Sequence, residues 1–473
     1  MALRFFNTLS RSAQEFIPRE TEAKRVGLYC CGPTVHDFAH IGNFRTFVFA
    51  DLVRRWLEFK GYAVRHVMNI TDVEDKIIQR VAESNSSLRD YTAKYEAAFF
   101  EDFQALGCLR PHENPRASEF IADIISLIEK LIARGMAYRA PDGSVYFSIE
   151  KYQASGGRYG QLLKLNFEEM RPGQRVSSDE YEKEAVADFA LWKARVPADG
   201  GVFWPSPWGE GRPGWHIECS AMSMKLLGPS FDLHMGGEDL VFPHHEDEIA
   251  QSEGAALQAP HQPFVKYWLH GAHLLVEGKK MSKSLGNYFT VRDLLAKGFT
   301  GREIRYLLLT AHYRESFNFT LDGLRAARTA LGRLDECLGK LREAAAAAGA
   351  AAPPDGELLQ QFAAALDEDF NVSAAWGAIF EWVRHSNRLA ASGEMRPEQA
   401  AAGLAAWQKI ASVLGLAPVE TAGIPAHCLA LLEQRNAARK AKDFKRADTL
   451  RDQLKNEGWL IEDTPKGARL KRL

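Results

Sequence analysis

The chain has 473 residues, 46% of them hydrophobic and 25% charged, with a formal net charge of −2 at pH 7. This is the composition of an ordinary soluble globular protein of about three domains, and the near-neutral balance excludes a protein that coats nucleic acid through bulk positive charge, so any RNA partner must be gripped locally. Six cysteines in so long a chain are too few and too scattered for a disulfide framework; with no secretion signal at Met1-Ala2-Leu3-Arg4-Phe5-Phe6 and no run of about 18 apolar residues, the expectation is a reducing, cytoplasmic setting and no membrane partner.

The first informative segment is Val26-Gly27-Leu28-Tyr29-Cys30-Cys31, an apolar run stopped by Gly32-Pro33, which predicts a buried strand entering a turn. Phe47, Val48, Leu52, Val53, Trp56 and Leu57 then recur at near-helical spacing, Gly61 supplies a stop, and Val64 to Ile70 reads as a second strand. Strand, loop, helix and strand predict a parallel crossover with ligands at the carboxyl ends of the strands, so chemistry belongs in the loop at 32–43. Residues 117–202 read as an insertion: a helical stretch, a short strand at Gly143-Ser144-Val145-Tyr146-Phe147, then polar and Gly-rich sequence. The strand and helix pattern resumes near Trp215. Ala344 to Ala352 followed by Pro353-Pro354-Asp355-Gly356 is a low-complexity break, a frayed helix end or a linker, and the chain beyond it is mostly helical. Arg435, Arg439, Lys440, Lys442, Lys445 and Arg446 cluster with Phe444, and Lys466, Arg469, Lys471 and Arg472 close the chain.

Three constellations carry chemistry. His40-Ile41-Gly42-Asn43 falls where the first helix begins, and a helix N-terminus with a glycine and a histidine suits a phosphate; the alternative is a helix cap in an ordinary loop. Lys280-Met281-Ser282-Lys283-Ser284 puts two lysines three apart between glycines, a cationic loop able to close over a triphosphate, or simply a solvated one. Cys31, Cys219, His244 and Glu248 offer a metal set: His244 and Glu248 lie four apart on one helix face, and two cysteines with a histidine favour zinc. A small apolar filler and a surface contact would explain the same residues.

Together, His40–Asn43 and Lys280–Ser284 resemble the two signature motifs of class I aminoacyl-tRNA synthetases. Within that class the chain resembles the cysteinyl-tRNA synthetases, through Tyr29-Cys30-Cys31-Gly32-Pro33-Thr34-Val35, Asn69-Ile70-Thr71-Asp72-Val73-Glu74-Asp75-Lys76, Gly214-Trp215-His216-Ile217-Glu218-Cys219-Ser220 and Phe242-Pro243-His244-His245-Glu246-Asp247-Glu248, over Phe6 to about Pro465. The resemblance implies an α/β fold: a Rossmann-type catalytic domain with a parallel sheet (1–116 and 203–256), split by a connective insertion (117–202). A junction carrying the Lys280–Ser284 loop (257–316), a helical bundle (317–425) and an anticodon-binding module (426–473) follow. It implies ATP-dependent attachment of cysteine to its tRNA through cysteinyl-adenylate, by a cytoplasmic monomer.

The same resemblance implies one zinc per subunit, held by Cys31 rather than Cys30, Cys219, His244 rather than His245, and Glu248, and magnesium accompanying ATP. His40, Asn43, Lys280 and Lys283 would be catalytic, with Gly42 and Lys283 binding ATP. Asn43 stands where the family often has a second histidine; it donates a hydrogen bond but carries no charge. Thr71 and Trp215 would line the amino-acid pocket, with core packing as their other reading. Cys108, Cys337 and Cys428 match nothing in the family and keep the reading of structural, apolar fillers. Arg439, Phe444, Asp448 and Asp463 would meet the anticodon, a charged solvated helix being the alternative. Two rival functions are a cysteine ligase acting on an amino-sugar, against which the 317–473 extension argues, and a non-catalytic RNA-binding paralogue.

Overall fold

The structure, a computed structural model, describes residues 2–84, 86–163, 188–256, 263–281, 286–346, 352–416, 425–441, 443–457, 459–464 and 467–472. It divides into two units, Met1–Leu416 and Ala417–Leu473.

The first unit opens with an antiparallel hairpin, β1 (Arg4–Asn7) and β2 (Ser12–Glu15). β3 (Arg25–Cys30) follows, buried over Leu28-Tyr29-Cys30 in the way that the interior of a parallel sheet demands of an apolar run. α1 (Ile41–Phe59) returns the chain to β4 (Ala63–Met68), which pairs parallel to β3 with Leu28 opposite His66. Lys60 caps α1 and Gly61, at φ 86°, turns the chain out of the helix, the stop that the sequence announces. α2 (Asp75–Ser84) and α3 (Leu88–Ala105) complete this segment.

The insertion builds its own antiparallel sheet. α4 (Ile121–Ala133), β5 (Ala137–Arg139), β6 (Val145–Phe147), α5 (Ile149–Ala154), β7 (Ala190–Ala194) and β8 (Gly211–Pro213) give the strand order β5-β6-β7-β8. The boundary expected at 202 therefore falls short: Trp192 faces Pro213 and Ala194 faces Gly211, so the sheet runs to Pro213. A Gly-Arg-Pro strand has no β propensity, and only its pairing to β7 makes it one.

The chain then rejoins the first sheet through α6 (Trp215–Leu227), β9 (Phe231–Gly237), α7 (Glu246–Ala255) and β10 (Val265–Gly271). The order is β10-β9-β3-β4 with every pair parallel. β10 thus belongs to the catalytic sheet, although a boundary at 256 assigned it to the junction; its apolar Val-Lys-Tyr-Trp-Leu run needs the two covered faces that the sheet edge beside β9 supplies. β11 (Leu274–Val276), β12 (Lys279–Lys280), α8 (Val291–Ala296), α9 (Gly301–Leu308) and β13 (Phe317–Phe319) form the junction, with sheet order β12-β11-β13.

α10 (Leu321–Ala345), α11 (Gly356–Asp367), α12 (Val372–Ser392) and α13 (Pro397–Leu414) make the bundle. Its core is continuous with that of the sheet: Trp56 of α1, Leu233 of β9, Leu334 of α10, Phe362 of α11 and Ile379 of α12 share one apolar cluster. Arg305 of α9, fully buried, fastens the junction by donating to Asp51 Oδ2 of α1 at 2.5 Å and to the Leu414 carbonyl of α13 at 2.6 Å. No described helix is long and apolar enough to cross a membrane.

The second unit holds α14 (Ala426–Lys440), α15 (Phe444–Asn456) and an antiparallel hairpin of β14 (Trp459–Thr464) and β15 (Gly467–Arg472). Cys428, Leu432, Leu454, Trp459 and Leu470 form its small core.

Candidate active site and metal centre

At the carboxyl ends of the parallel strands, where open α/β sheets place their ligands, four buried side chains from three segments converge. Cys31 ends the β3 run, Cys219 lies in the second turn of α6, and His244 precedes α7 by two residues, one helical turn from Glu248. Cys31 Sγ lies 3.9 Å from Cys219 Sγ, 3.6 Å from His244 Nε2 and 3.6 Å from Glu248 Oε1, and His244 Nε2 lies 3.1 Å from that oxygen. Tetrahedral bonds of about 2.3 Å to sulfur and about 2.0 Å to nitrogen or oxygen would separate neighbouring donors by about 3.3 to 3.8 Å. The donor set and its spacing therefore fit a zinc ion. Cys30, by contrast, lies in the apolar core and burial pushes its thiol up to about 12.

The cluster is polarised as a cation site requires. Hydrogen bonding from Cys31 outweighs burial and pulls the Cys219 thiol down to about 6. Burial opposes charge on His244, yet hydrogen bonds to Cys219 and Glu248 raise it to about 10. Burial likewise opposes ionisation of Glu248, and His234 beside it brings the carboxyl down to about 2. In this arrangement the imidazolium proton of His244 supplies the positive charge that a divalent cation would bring to two anionic donors.

Histidines surround the four. His234 Nε2 meets Glu248 Oε2 at 2.9 Å, His245 Nε2 lies 3.4 Å from Cys31 Sγ, and His245 Nδ1 meets His270 Nε2 at 2.7 Å. His216 Nδ1 meets His244 Nδ1 at 2.8 Å, a contact that orients the His244 ring. Cys31, His234, His245 and Glu248 form a second possible ligand set that shares two members with the first. Sequence reasoning passed over His216, His234 and His270; its only available signal was the Trp-His and His-His pairs, because a lone histidine on an apolar strand reads as core.

Trp215 stacks toward this centre, its ring 4.4 Å from that of His244. Thr71 sits beyond β4, its N–H donating to the Pro33 carbonyl at 3.1 Å and its hydroxyl accepting from Asn69 Nδ2 at 3.1 Å. Both thus stand next to the Cys31-Gly32-Pro33 turn or the four-residue cluster itself.

The first motif caps α1. His40 Nδ1 accepts from the Asn43 N–H at 3.2 Å while Asn43 Oδ1 accepts from the His40 N–H at 3.1 Å, a reciprocal box that closes the helix start. With Nδ1 accepting, the neutral ring carries its proton on Nε2 and presents a donor; burial lowers its pKa, which favours that neutral form. A Cβ on Gly42 would stand 3.0 Å from the His40 ring and 3.1 Å from Met281 Cε, so only glycine leaves the helix start open.

Met281 of the second motif thus lies close against the first. The Ile41 N–H donates to the Phe289 carbonyl at 2.9 Å, and the His40 and Tyr288 rings lie 5.4 Å apart edge to face. Lys280 is exposed on β12, behind a Glu277-Gly278 turn with φ of 50° and 75° that suits a tight hairpin. Lys283 lies outside the described residues.

In the second unit Phe444 is 62% exposed at the start of α15, Arg439 is exposed on α14, and Asp448 pairs with Arg451 at 2.8 Å. Asp463 falls in β14. Arg435, counted in the basic cluster, is buried and leaves that surface.

Residues 17–329 match the family model for the tRNA synthetases class I (C) catalytic domain, 361–418 that for the DALR domain, and 421–469 that for the cysteinyl-tRNA ligase anticodon binding domain. The chain is 46% identical to a cysteine–tRNA ligase of Chlamydia muridarum over 486 residues, covering all of both chains. It is 47% identical to one of Solibacter usitatus over 478 residues, again covering all of both. A methionyl-tRNA synthetase of Mycobacterium tuberculosis in complex with methionyl-adenylate shares the fold, with a TM-score of 0.58 at 14% identity over 83% of this chain and 90% of that one.

Proposed function

The chain belongs to the cysteinyl-tRNA synthetases of class I, and from that membership we propose how its own residues perform the ATP-dependent attachment of cysteine to tRNA. The observation that carries the reading is the convergence of two cysteines, a histidine and a glutamate at the carboxyl ends of β3 and its neighbours, on the same sheet whose crossover helix α1 starts at the His40 cap. An amino-sugar ligase has no use for an anticodon module, and a non-catalytic paralogue has none for the intact cluster.

Cys31, Cys219, His244 and Glu248 would hold one zinc. Bound there, zinc supplies a soft Lewis acid that ionises a thiol far more readily than a hydroxyl, which separates cysteine from serine where a pocket wall could not. The set with both thiols is favoured over that of His234 and His245, because two sulfurs and an imidazole suit zinc best and His234 is engaged with the outer oxygen of Glu248. Trp215 and Thr71 bound the amino acid. No separate editing domain is then required, and the insertion serves as a connector.

In the first step the cysteine carboxylate attacks the α-phosphorus of ATP and pyrophosphate leaves. His40, through Nε2–H, and the N–H groups at the start of α1 receive the charge that develops on the phosphoryl oxygens; Gly42 lets the nucleotide approach, and Asn43 fixes the His40 ring. Lys280 and Lys283 would hold the departing pyrophosphate, with magnesium, when bound to ATP, supplying further charge neutralisation. In the second step a terminal ribose hydroxyl of the tRNA attacks the adenylate, which needs positioning rather than a protein nucleophile. Arg439, Phe444, Asp448 and Asp463 meet the anticodon, where an exposed aromatic ring offers a stacking face. One chain supplies every residue of the site, so a monomer suffices, and the buried thiols call for the reducing cytoplasm.

Cysteine-dependent exchange of pyrophosphate into ATP tests the reading. Exchange with cysteine and none with serine is expected; equal exchange with both removes the zinc-based selection.

A further inference from the structure

Metal-binding side chains meet a second time, in the C-terminal unit. His427 and Cys428 lie in the first turn of α14, and Glu457 caps the end of α15. His427 Nε2 lies 2.8 Å from Glu457 Oε2; Cys428 Sγ lies 3.4 Å from His427 Nε2 and 3.3 Å from the same oxygen. The three donors form a small triangle whose sulfur corner is buried in the unit's core and whose imidazole reaches solvent, 66% exposed.

An imidazole, a thiol and a carboxylate are the ligand types of a borderline-soft divalent cation. Bonds of about 2.0 to 2.3 Å would set neighbouring donors about 3.3 to 3.6 Å apart. Both edges to sulfur already meet that spacing. The nitrogen-to-oxygen edge has to open by about 0.5 Å, which two solvent-facing side chains can give at little cost.

We propose that His427, Cys428 and Glu457 bind one zinc-class divalent cation, at a site separate from the catalytic cluster. Binding transfers the Cys428 proton to solvent and leaves the thiolate, the neutral imidazole and the carboxylate on the cation, with water completing its coordination. The site clips the start of α14 to the end of α15. The need for a clip is physical: the unit's core comprises Cys428, Leu432, Leu454, Trp459 and Leu470, and modules below about 70–80 residues commonly rely on a metal or a disulfide in place of a larger core.

The full-length chain, stripped of metal and titrated with Co2+, tests this. A Cys31→Ser/Cys219→Ser variant, which lacks both thiols of the catalytic cluster, is expected to develop a thiolate-to-cobalt charge-transfer band that disappears on adding Cys428→Ser. In the otherwise unaltered chain, one bound cobalt beyond that of the catalytic cluster is expected. Glu457→Gln and His427→Ala, both at exposed positions where folding is not at stake, are expected to weaken that extra binding by at least about 10-fold. Absence of the extra cobalt from the unaltered chain, or its retention with equal affinity in both single variants, overturns the proposal.

Discussion

At residue scale, His40 does two jobs with one ring: Nδ1 closes the start of α1 and Nε2 is left to donate. The jobs separate by substitution. His40→Asn keeps a capping side chain and loses the donor, so the thermal midpoint is expected to hold while adenylate formation falls about 10²–10³-fold, the range for removing one oxyanion donor. His40→Ala loses the cap as well, at about 1 kcal/mol of helix stability. Thermal melts and pyrophosphate exchange on the two variants read the difference. For the metal centre, Cys219→Ser is expected to lose zinc and to lower cysteine-dependent exchange at least about 100-fold, since even partners outside the ligand set cost about 10–100-fold; metal analysis beside exchange kinetics checks both. The four-residue cluster was not legible from spacing alone. Cys31, Cys219 and His244 stand far apart in the chain, no close cysteine pair announces them, and the resemblance rather than the spacing selected Cys31 over Cys30. The sheet brings them together because each follows or faces the carboxyl end of a strand.

At element scale, β3, α1 and β4 were readable because their signals are local: an apolar run, a helical period, a glycine stop. β8 was not, since Gly211-Arg212-Pro213 becomes a strand only by lying beside β7, and the end of the insertion was misplaced with it. β4 also carries a pH signature. Burial, with Arg54 nearby, lowers His66 from 6.5 to about 3, and among the described residues neither of its ring nitrogens has a hydrogen-bond partner. The folded state thus holds the ring neutral while the unfolded chain takes up the proton. The stability this gives is fully present above pH 6.5 and is lost as pH falls toward 3, about 2 kcal/mol of it by pH 5. His66→Leu is expected to lose about 2 kcal/mol less than the unaltered chain between pH 7 and pH 5, as urea midpoints at the two pH values would report.

At the scale of the whole molecule, the match to the catalytic domain model falls in the first unit and the match to the anticodon binding domain model in the second, so the proposed roles are expected to be separable by substitution. Phe444→Ala is expected to raise the KM for tRNA by about 5- to 150-fold, equivalent to the ~1–3 kcal/mol of one stacked base, and to leave pyrophosphate exchange unchanged; steady-state charging kinetics beside exchange would check it. The division into Met1–Leu416 and Ala417–Leu473 was not legible from the composition breaks near 350 and 435, which fall inside the first unit and inside α14, and neither was the core shared by the sheet and the bundle, because Trp56, Leu334 and Ile379 are joined only by long-range packing. The most direct measurement is charging of a cysteine tRNA transcript with labelled cysteine and ATP, run beside serine and beside a transcript with an altered anticodon. Charging with cysteine alone is expected, falling when the anticodon is changed. Charging with serine at a comparable rate, or charging of both transcripts alike, would contradict that expectation.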